Sequence, residues 1–328
     1  MPANQITLSD SATMFANRLS KKRSHFRKWL SRECINAYRV YDADIPEYAL
    51  AIDVYNTTDN LTHVVVYEYQ APATVNKNDA ALRLKEALTV IQIEFSIPTT
   101  QLYLKIRKKQ KGIKQYEKIE NEKCSHKIIE GGSLFLVNFR DYLDTGLFFD
   151  HRKTRALIRA MASDKRFLNL FAYTGSVSVY AAQGGAKSTL TIDMSNTYLD
   201  IAKSNMSLNG YKGDQHQFIQ ADCLQWLQRQ HYANEKYDII FLDPPAFSTS
   251  KRMKSNFDVL RDHATIIRQC MSILSPDGTL IFSNNSRKFK MNEDLLQQYE
   301  IKNISKKTIP KDFEANRQIH NSWDIQHP

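Results

Sequence analysis

From about Leu147 onward, short apolar runs alternate with stretches of helical periodicity, and this alternation limits the fold more than any other feature of the chain. Strands are expected at Arg166 to Phe171, Ser188 to Ile192, His216 to Gln220, Tyr237 to Leu242 and Gly278 to Phe282. Helices are expected at Arg152 to Met161, from Ser176 to Gln183, and at Asn196 to Asn209, Cys223 to Arg229, Phe257 to Leu274 and Glu293 to Tyr299. Units of this kind join parallel strands through helical crossovers, so the expected class is α/β with a doubly wound sheet. Two last segments, Ile301 to Thr308 and Ile319 to Ile325, suit an antiparallel hairpin that completes a mostly parallel sheet of seven strands.

Upstream the rhythm is different. A helix over residues 12–33 precedes Val-, Ile- and Tyr-rich strands at Ala37 to Asp44, Tyr48 to Tyr55 and His63 to Gln70. A helical period over Asn76 to Phe95 stops at Ile97-Pro98, and strands follow at Leu102 to Arg107 and Ile128 to Phe139, with Gly131-Gly132 as a turn. The chain therefore divides into a basic N-terminal helix (1–35), a small strand-strand-helix-strand-strand α+β domain (36–146) that does not alternate in parallel fashion, and the α/β domain (147–328).

The 328 residues carry a net charge of +10. Residues 18–32 hold seven Lys or Arg and no acid, with Phe26 and Trp29 among them; residues 105–118 hold seven more against Glu117 alone. Basic runs with interleaved rings suit a phosphate-bearing partner and stacking on bases, although each run alone also suits a solvated amphipathic face. The small domain is accordingly expected to contact RNA. No apolar run reaches the length of a membrane span, and residues 1–5 lack the order of a signal peptide. Four scattered cysteines show no metal spacing, so a cytoplasmic protein without a metal is expected.

The carboxyl ends of the expected strands carry the chemistry. Asn169-Leu-Phe-Ala-Tyr-Thr-Gly175 opens a tight turn into a helix, which aims backbone N–H groups outward. Asp193 follows Gly175 by 18 residues, about the spacing at which an acid accepts ribose hydroxyls. Asp222, with Cys223 beside it, ends the next strand and suits an adenine amino group. Asp243 ends the fourth, where Pro244 and Pro245 stop the ladder and Phe247 follows. Any one such Asp reads equally well as a helix cap. In succession they describe a nucleoside pocket. The first turn has one glycine, not the GxGxxG of a pyrophosphate site, which disfavours a nicotinamide cofactor and favours S-adenosylmethionine (SAM).

Longer segments add a resemblance. Phe15-Ala-Asn-Arg-Leu19, Tyr38-Arg-Val-Tyr-Asp-Ala-Asp44, Asp144-Thr-Gly-Leu-Phe-Phe-Asp-His-Arg152, Asn169 to Ser176, Asp243 to Phe247 with Ser250-Lys-Arg-Met253, Phe282-Ser-Asn-Asn285 and Asn316-Arg-Gln-Ile-His-Asn321 span nearly the whole chain. With them the chain resembles the class I SAM-dependent RNA methyltransferases, and within these the K half of the fused K/L large-subunit ribosomal RNA enzymes, kin of the cytosine-5 methyltransferase I family. The resemblance implies N7-methylation of a guanine in 23S rRNA or a large-subunit assembly intermediate. It places Phe148 and Asp150 over the methionine end of SAM. The fused family's preceding half, with its N2-guanine activity, has no counterpart in this sequence. A homodimer is left open.

The candidate cofactor set is Phe148, Asp150, Asn169, Phe171, Thr174, Gly175, Asp193, Met194, Asp222, Cys223 and Asp243. Asp243 and Phe247 are the catalytic candidates. Phe247, Lys251, Asn284, Asn285, Arg287 and Arg317 are the RNA candidates. Cytosine-5 chemistry needs a thiol nucleophile, and the position after the fifth strand holds Ser283-Asn284-Asn285 instead. An exocyclic-amine methyltransferase would place its aromatic ring directly after the two prolines, whereas Ala246 intervenes here. An RNA-binding scaffold that has lost activity is the non-enzyme alternative.

Overall fold

The computed structural model describes residues 8–69, 76–107, 125–230, 235–248 and 256–328. Most of the second basic run (108–118), Cys124 and Lys251 lie outside these residues. The chain divides into two compact units, Met1–Gly131 with Val137–Asp144, and Gly132–Leu136 with Thr145–Pro328. Residues 132–136 thus join the second unit, whereas the sequence places them in the small domain.

In the first unit, helix α1 (Asp10–Arg32) starts where the Ser9 side chain accepts from the Ala12 N–H. Its Ala12, Phe15, Leu19, Phe26 and Trp29 stripe is buried with Tyr38, Val40, Ile52, Val54, Val64 and Val66 in one core. Those residues belong to β1 (Ala37–Asp42), β2 (Leu50–Asn56) and β3 (Thr62–Tyr69), which pair antiparallel in order. Helix α2 (Lys77–Phe95) then crosses over to β4 (Leu102–Arg107), which pairs parallel with β3. The four-stranded sheet therefore takes three strands before the helix and one after it. The three expected strands at 37–44, 48–55 and 63–70 are all present, so the strand-strand-helix-strand-strand outline counts one too few before the helix, and the 19-residue helix brings β4 back parallel to β3.

Buried charge in this unit is partnered. Arg39 donates two hydrogen bonds to Asp53 across the β1–β2 pair, at 2.7 and 3.0 Å. Lys105, counted above in a basic run, is buried and donates to the carbonyls of Tyr142 and Leu143. On α1, Lys22 pairs with Asp44 and Arg23 with Glu94, while Arg18, Lys21, Arg27 and Lys28 are exposed. β5 (His126–Glu130) and β6 (Ser133–Val137) follow in the chain.

The second unit is the doubly wound layer. In chain order it comprises α3 (Arg152–Met161), β7 (Arg166–Leu170), α4 (Ser176–Gln183), β8 (Ser188–Asp193), α5 (Asn196–Leu208), β9 (His216–Gln220), α6 (Cys223–Gln230), β10 (Tyr237–Leu242), the short β11 (Phe247–Ser248) and β12 (Phe257–Asp258), α7 (Val259–Ser272), β13 (Leu274–Asn284), β14 (Glu300–Asn303), α8 (Ser305–Thr308) and β15 (Asn321–Gln326). The seven-stranded order is β14-β15-β13-β10-β7-β8-β9. β13, β10, β7, β8 and β9 run parallel, and β15 is antiparallel to both its neighbours. The hairpin expected at the end is thus present, but its second strand inserts beside β13 rather than adding at the edge.

The central strands read as continuous apolar runs because both faces are covered. Leu168, Leu170, Ile240, Leu242, Leu280 and Phe282 face α6 and α7 residues such as Leu227, Ile267 and Met271. Phe167, Ile239, Phe241 and Ile281 face Ile158 of α3 with Val177 and Ala181 of α4. The α3–α4 approach is close enough that a Cβ at Gly184 would lie 2.1 Å from the Arg159 carbonyl oxygen.

Two expected helices are shortened. Phe257 and Asp258 form β12, and the Asp258 side chain caps α7 by accepting from Leu260 N–H. Over 293–299 only a 3-10 turn, Asp294–Leu296, forms, and α8 takes residues 305–308 away from the expected strand. No helix among the described residues is long and apolar enough to cross a membrane.

Candidate active site at the carboxyl edge of the sheet

The turn between β7 and α4 is wound tightly. Phe171, Tyr173 and Gly175 have φ of 55°, 51° and 70°, the left-handed region that side-chain-bearing residues rarely adopt. A Cβ on Gly175 would sit 2.6 Å from the Ala202 Cβ of α5, so only glycine lets the turn approach that helix. Neighbouring groups hold it there. Asp193 accepts from Tyr173 N–H at 2.9 Å and from Ser195 N–H at 2.8 Å. Thr174 donates to the Gly146 carbonyl at 2.6 Å, and Asn205 of α5 donates to the Thr174 carbonyl at 2.9 Å. Cys223 accepts from Phe171 N–H at 3.3 Å.

Asp193 is thus fixed at the end of β8, and burial raises its pKa against those backbone donors. Asp222, after β9, accepts from Leu224 N–H and from the Gln225 amide, the arrangement of a helix cap. It also lines a cavity of about 320 Å³ with Met194, Gln220, Ala221, Gln225, Trp226 and Arg229. Of the cofactor candidates, this cavity brings Met194 and Asp222 together. Cys223 faces inward, and burial pushes its thiol well up. Phe148 is 41% exposed and packs on Tyr173 with ring centroids 5.0 Å apart.

Asp243 follows β10 and is half-buried, 27% exposed at its side chain. Burial pushes its pKa up; His151 pulls it down and Asp150 pushes it up again. Phe247 is 55% exposed. Asn284 ends β13, fully buried; its oxygen accepts from Ser286 N–H, and from the Asn321 amide at 3.3 Å. Asn285, Arg287 and Arg317 are exposed. At this edge Asn169 Oδ1, Asn284 Nδ2 and His151 Nδ1 are buried without a hydrogen-bond partner among the described residues, and the buried Ser283 hydroxyl lies beside Asp243, whose pKa it lowers. Such orphans are costly, and a polar ligand relieves them.

Asp150, expected over the methionine end of SAM, is part-buried and has two histidines beside it. His320 Nδ1 donates to Asp150 Oδ2 over 3.1 Å, and His151 lies 3.7 Å away. Desolvation raises the Asp150 pKa, but the two imidazoles and Arg155 outweigh it, so the carboxyl lies below its usual range. His151 and His320 escaped the sequence reading, although both stand in segments that carry the resemblance. Only the fold brings them together. Their ligand-type atoms and those of Asp150 lie within 4.8 Å of one another. Both nitrogens of His320 are already engaged, by Asp150 and by Thr308 Oγ1 at 2.9 Å, as in a hydrogen-bonded chain.

A parallel sheet with acids at successive carboxyl ends, a glycine turn and no pyrophosphate fingerprint defines a class I SAM-dependent methyltransferase fold. Comparisons agree. The model of the S-adenosylmethionine-dependent methyltransferase family matches residues 53–309, and the chain belongs to that family. The ribosomal RNA large subunit methyltransferase K/L of Allochromatium vinosum is 52% identical over 98% of this chain, and that of Syntrophotalea carbinolica is 50% identical over 98%. The chain spans 43% and 44% of those two proteins, less than half of either. Among solved structures, SMU.776 complexed with SAH superposes with a TM-score of 0.77 at 22% identity, covering 97% of this chain and 82% of that one. The SAM-dependent methyltransferase from Agrobacterium tumefaciens gives 0.62 at 17%, covering 89% and 90%. The cofactor is SAM, and the buried orphan atoms and strand-end acids suit its polar groups.

Proposed function

We propose that the chain methylates N7 of a guanine in 23S rRNA, the K reaction of the fused K/L enzymes. The relatives' names support the rRNA substrate. The observation that carries the choice of N7 is the chemistry at the ends of β10 and β13: a carboxylate and a buried amide, with no reactive thiol among the described residues there. Cys223 and Cys270 are buried, and burial pushes both thiols up, away from the thiolate that cytosine-5 addition requires. A cytoplasmic location goes with this substrate.

SAM supplies an electrophilic methyl group on a sulfonium. The Phe171–Gly175 turn, Asn169, Asp193, Met194 and Asp222 would hold it, with Phe148 at its open side and Thr174 and Cys223 bracing the turn. Guanine N7 has an in-plane lone pair and loses no proton, so the protein's task is alignment, worth roughly 7–11 kcal/mol in favourable cases. Asp243 offsets the positive charge that develops on the guanine. Phe247 stacks on the base once it leaves its helix, and Asn284 or Asn285, of which Asn285 is exposed, contacts its edge. Lys251, Arg287 and Arg317 take phosphates.

The test is methylation of deproteinised 23S rRNA with methyl-labelled SAM, followed by nucleoside mass analysis. Label in 7-methylguanosine is expected. Label in 5-methylcytidine or N2-methylguanosine would overturn the assignment, and no label in any rRNA would favour the scaffold.

A further inference from the structure

His151 is where three distant pieces of chain meet. Its Nε2 lies 3.4 Å from Asp243 Oδ2, at the end of β10, and 3.7 Å from Asp150 Oδ2. One ring face stacks on His320, with centroids 4.8 Å apart and planes 12° from parallel. Phe241 meets the ring edge-on at 6.0 Å. His320 is itself held at both nitrogens, by Asp150 and by Thr308. The imidazole of His151 therefore has one plane open to it, set by packing rather than by solvent.

Its proton follows from the same contacts. Nδ1 is buried and unpartnered among the described residues, while Nε2 faces two carboxylates. A lone pair at Nε2 would oppose both acids, so Nε2 carries the hydrogen and turns it towards them. The groups facing the ring are Asp243, Asp150, His320 and Arg155, and burial lowers its pKa from the usual histidine value against the pull of the two acids.

We infer that His151 is a positioning residue: its Nε2–H holds the Asp243 carboxylate ionised and aimed at the substrate, and His320 fixes the plane of the donor. This rests on the role given above to Asp243. Without His151, the burial and the Asp150 charge that push the Asp243 pKa up are opposed only by Ser283 and His320, and Asp243 protonates at higher pH.

The experiment is the pH dependence of kcat for the full chain on deproteinised 23S rRNA, in wild type, His151→Phe and His151→Gln. His151→Phe keeps a ring without a donor; it should lose about ten- to a hundredfold in kcat at pH 7, the range of one hydrogen bond to a charged group. Its acidic limb should move up by about one pH unit, with KM for SAM within twofold. His151→Gln keeps an N–H donor and should recover most of the loss. An unmoved limb in His151→Phe, or a Gln variant no better than Phe, overturns the assignment. Should His151→Phe fail to fold, 15N-histidine NMR of the wild-type protein decides: an Nε2–H tautomer for His151 is expected, and an Nδ1–H tautomer overturns the proposal. Label in a base other than 7-methylguanosine would overturn the proposed reaction yet leave the pH comparison interpretable.

Discussion

The two ends of β10 each carry an aspartate, and they are built for opposite purposes. Asp238, near the amino end, is saturated. It accepts from Arg166 through Nε at 3.0 Å, a terminal nitrogen at 2.9 Å and the backbone N–H at 2.9 Å, and from Ser275 at 2.9 Å. Those donors, Arg166 first, hold its carboxyl well below the usual range. Asp243, past the carboxyl end, has an imidazole at 3.4 Å, a second carboxylate nearby and a raised pKa. One end of the strand spends its acid on stability. The other leaves its acid beside His151, Ser283 and a second carboxylate, with burial raising its pKa.

Breaking the Asp243 end should affect chemistry most. Asp243→Ala is expected to lower single-turnover methyl transfer about a hundredfold or more, the scale of losing one electrostatic stabiliser, with SAM binding by calorimetry retained. Wild-type transfer in that variant would dissolve the contrast. Next, Gly175→Ala forces both a left-handed Cβ and the 2.6 Å clash with Ala202, and should weaken SAM binding at least tenfold.

The sharpest form of the comparison is a difference of sign in thermal stability. Asp238→Asn should lower Tm by about 4 °C at pH 7, since partial exposure of Arg166 leaves the pair about 1–2 kcal/mol. Asp243→Asn should raise Tm at pH 7. The folded pKa of Asp238 is depressed, so its contribution is full above an unfolded value of about 3.9 and fades as pH falls through the folded one. That of Asp243 is raised, so its carboxylate costs stability above the folded pKa and the cost disappears as pH falls below it. Both differences from wild type should therefore shrink towards pH 3, as scanning calorimetry can follow. The smallest effect is expected for Cys223→Ala: a modest loss of Tm from the missing sulfur acceptor at Phe171 N–H, with methyl transfer within twofold. A large loss of transfer would reopen cytosine-5 chemistry.

The strand-end acids were legible in the sequence because each is announced locally, by an apolar run that stops at an Asp before a turn or two prolines. The doubly wound, mostly parallel class follows from the same alternation, but the place of β15 in the sheet does not. What was not legible depends on distance along the chain. Asp150 and His320 are 170 residues apart, and no spacing rule joins them. The sequence therefore offered Asp150 as a ligand contact without showing its two histidine neighbours. The parallel β3–β4 pair and the 3-10 turn at Asp294–Leu296 were missed for a related reason: tertiary packing, not local period, selects them.

The insertion of β15 between β13 and β14 has a corollary. β14 emerges first during synthesis but has no sheet neighbour until β15 arrives to separate it from β13. His320 directly precedes that strand and packs on His151. Closing the sheet and completing the histidine stack are therefore coupled, because the segment that separates β14 from β13 also carries His320 to His151.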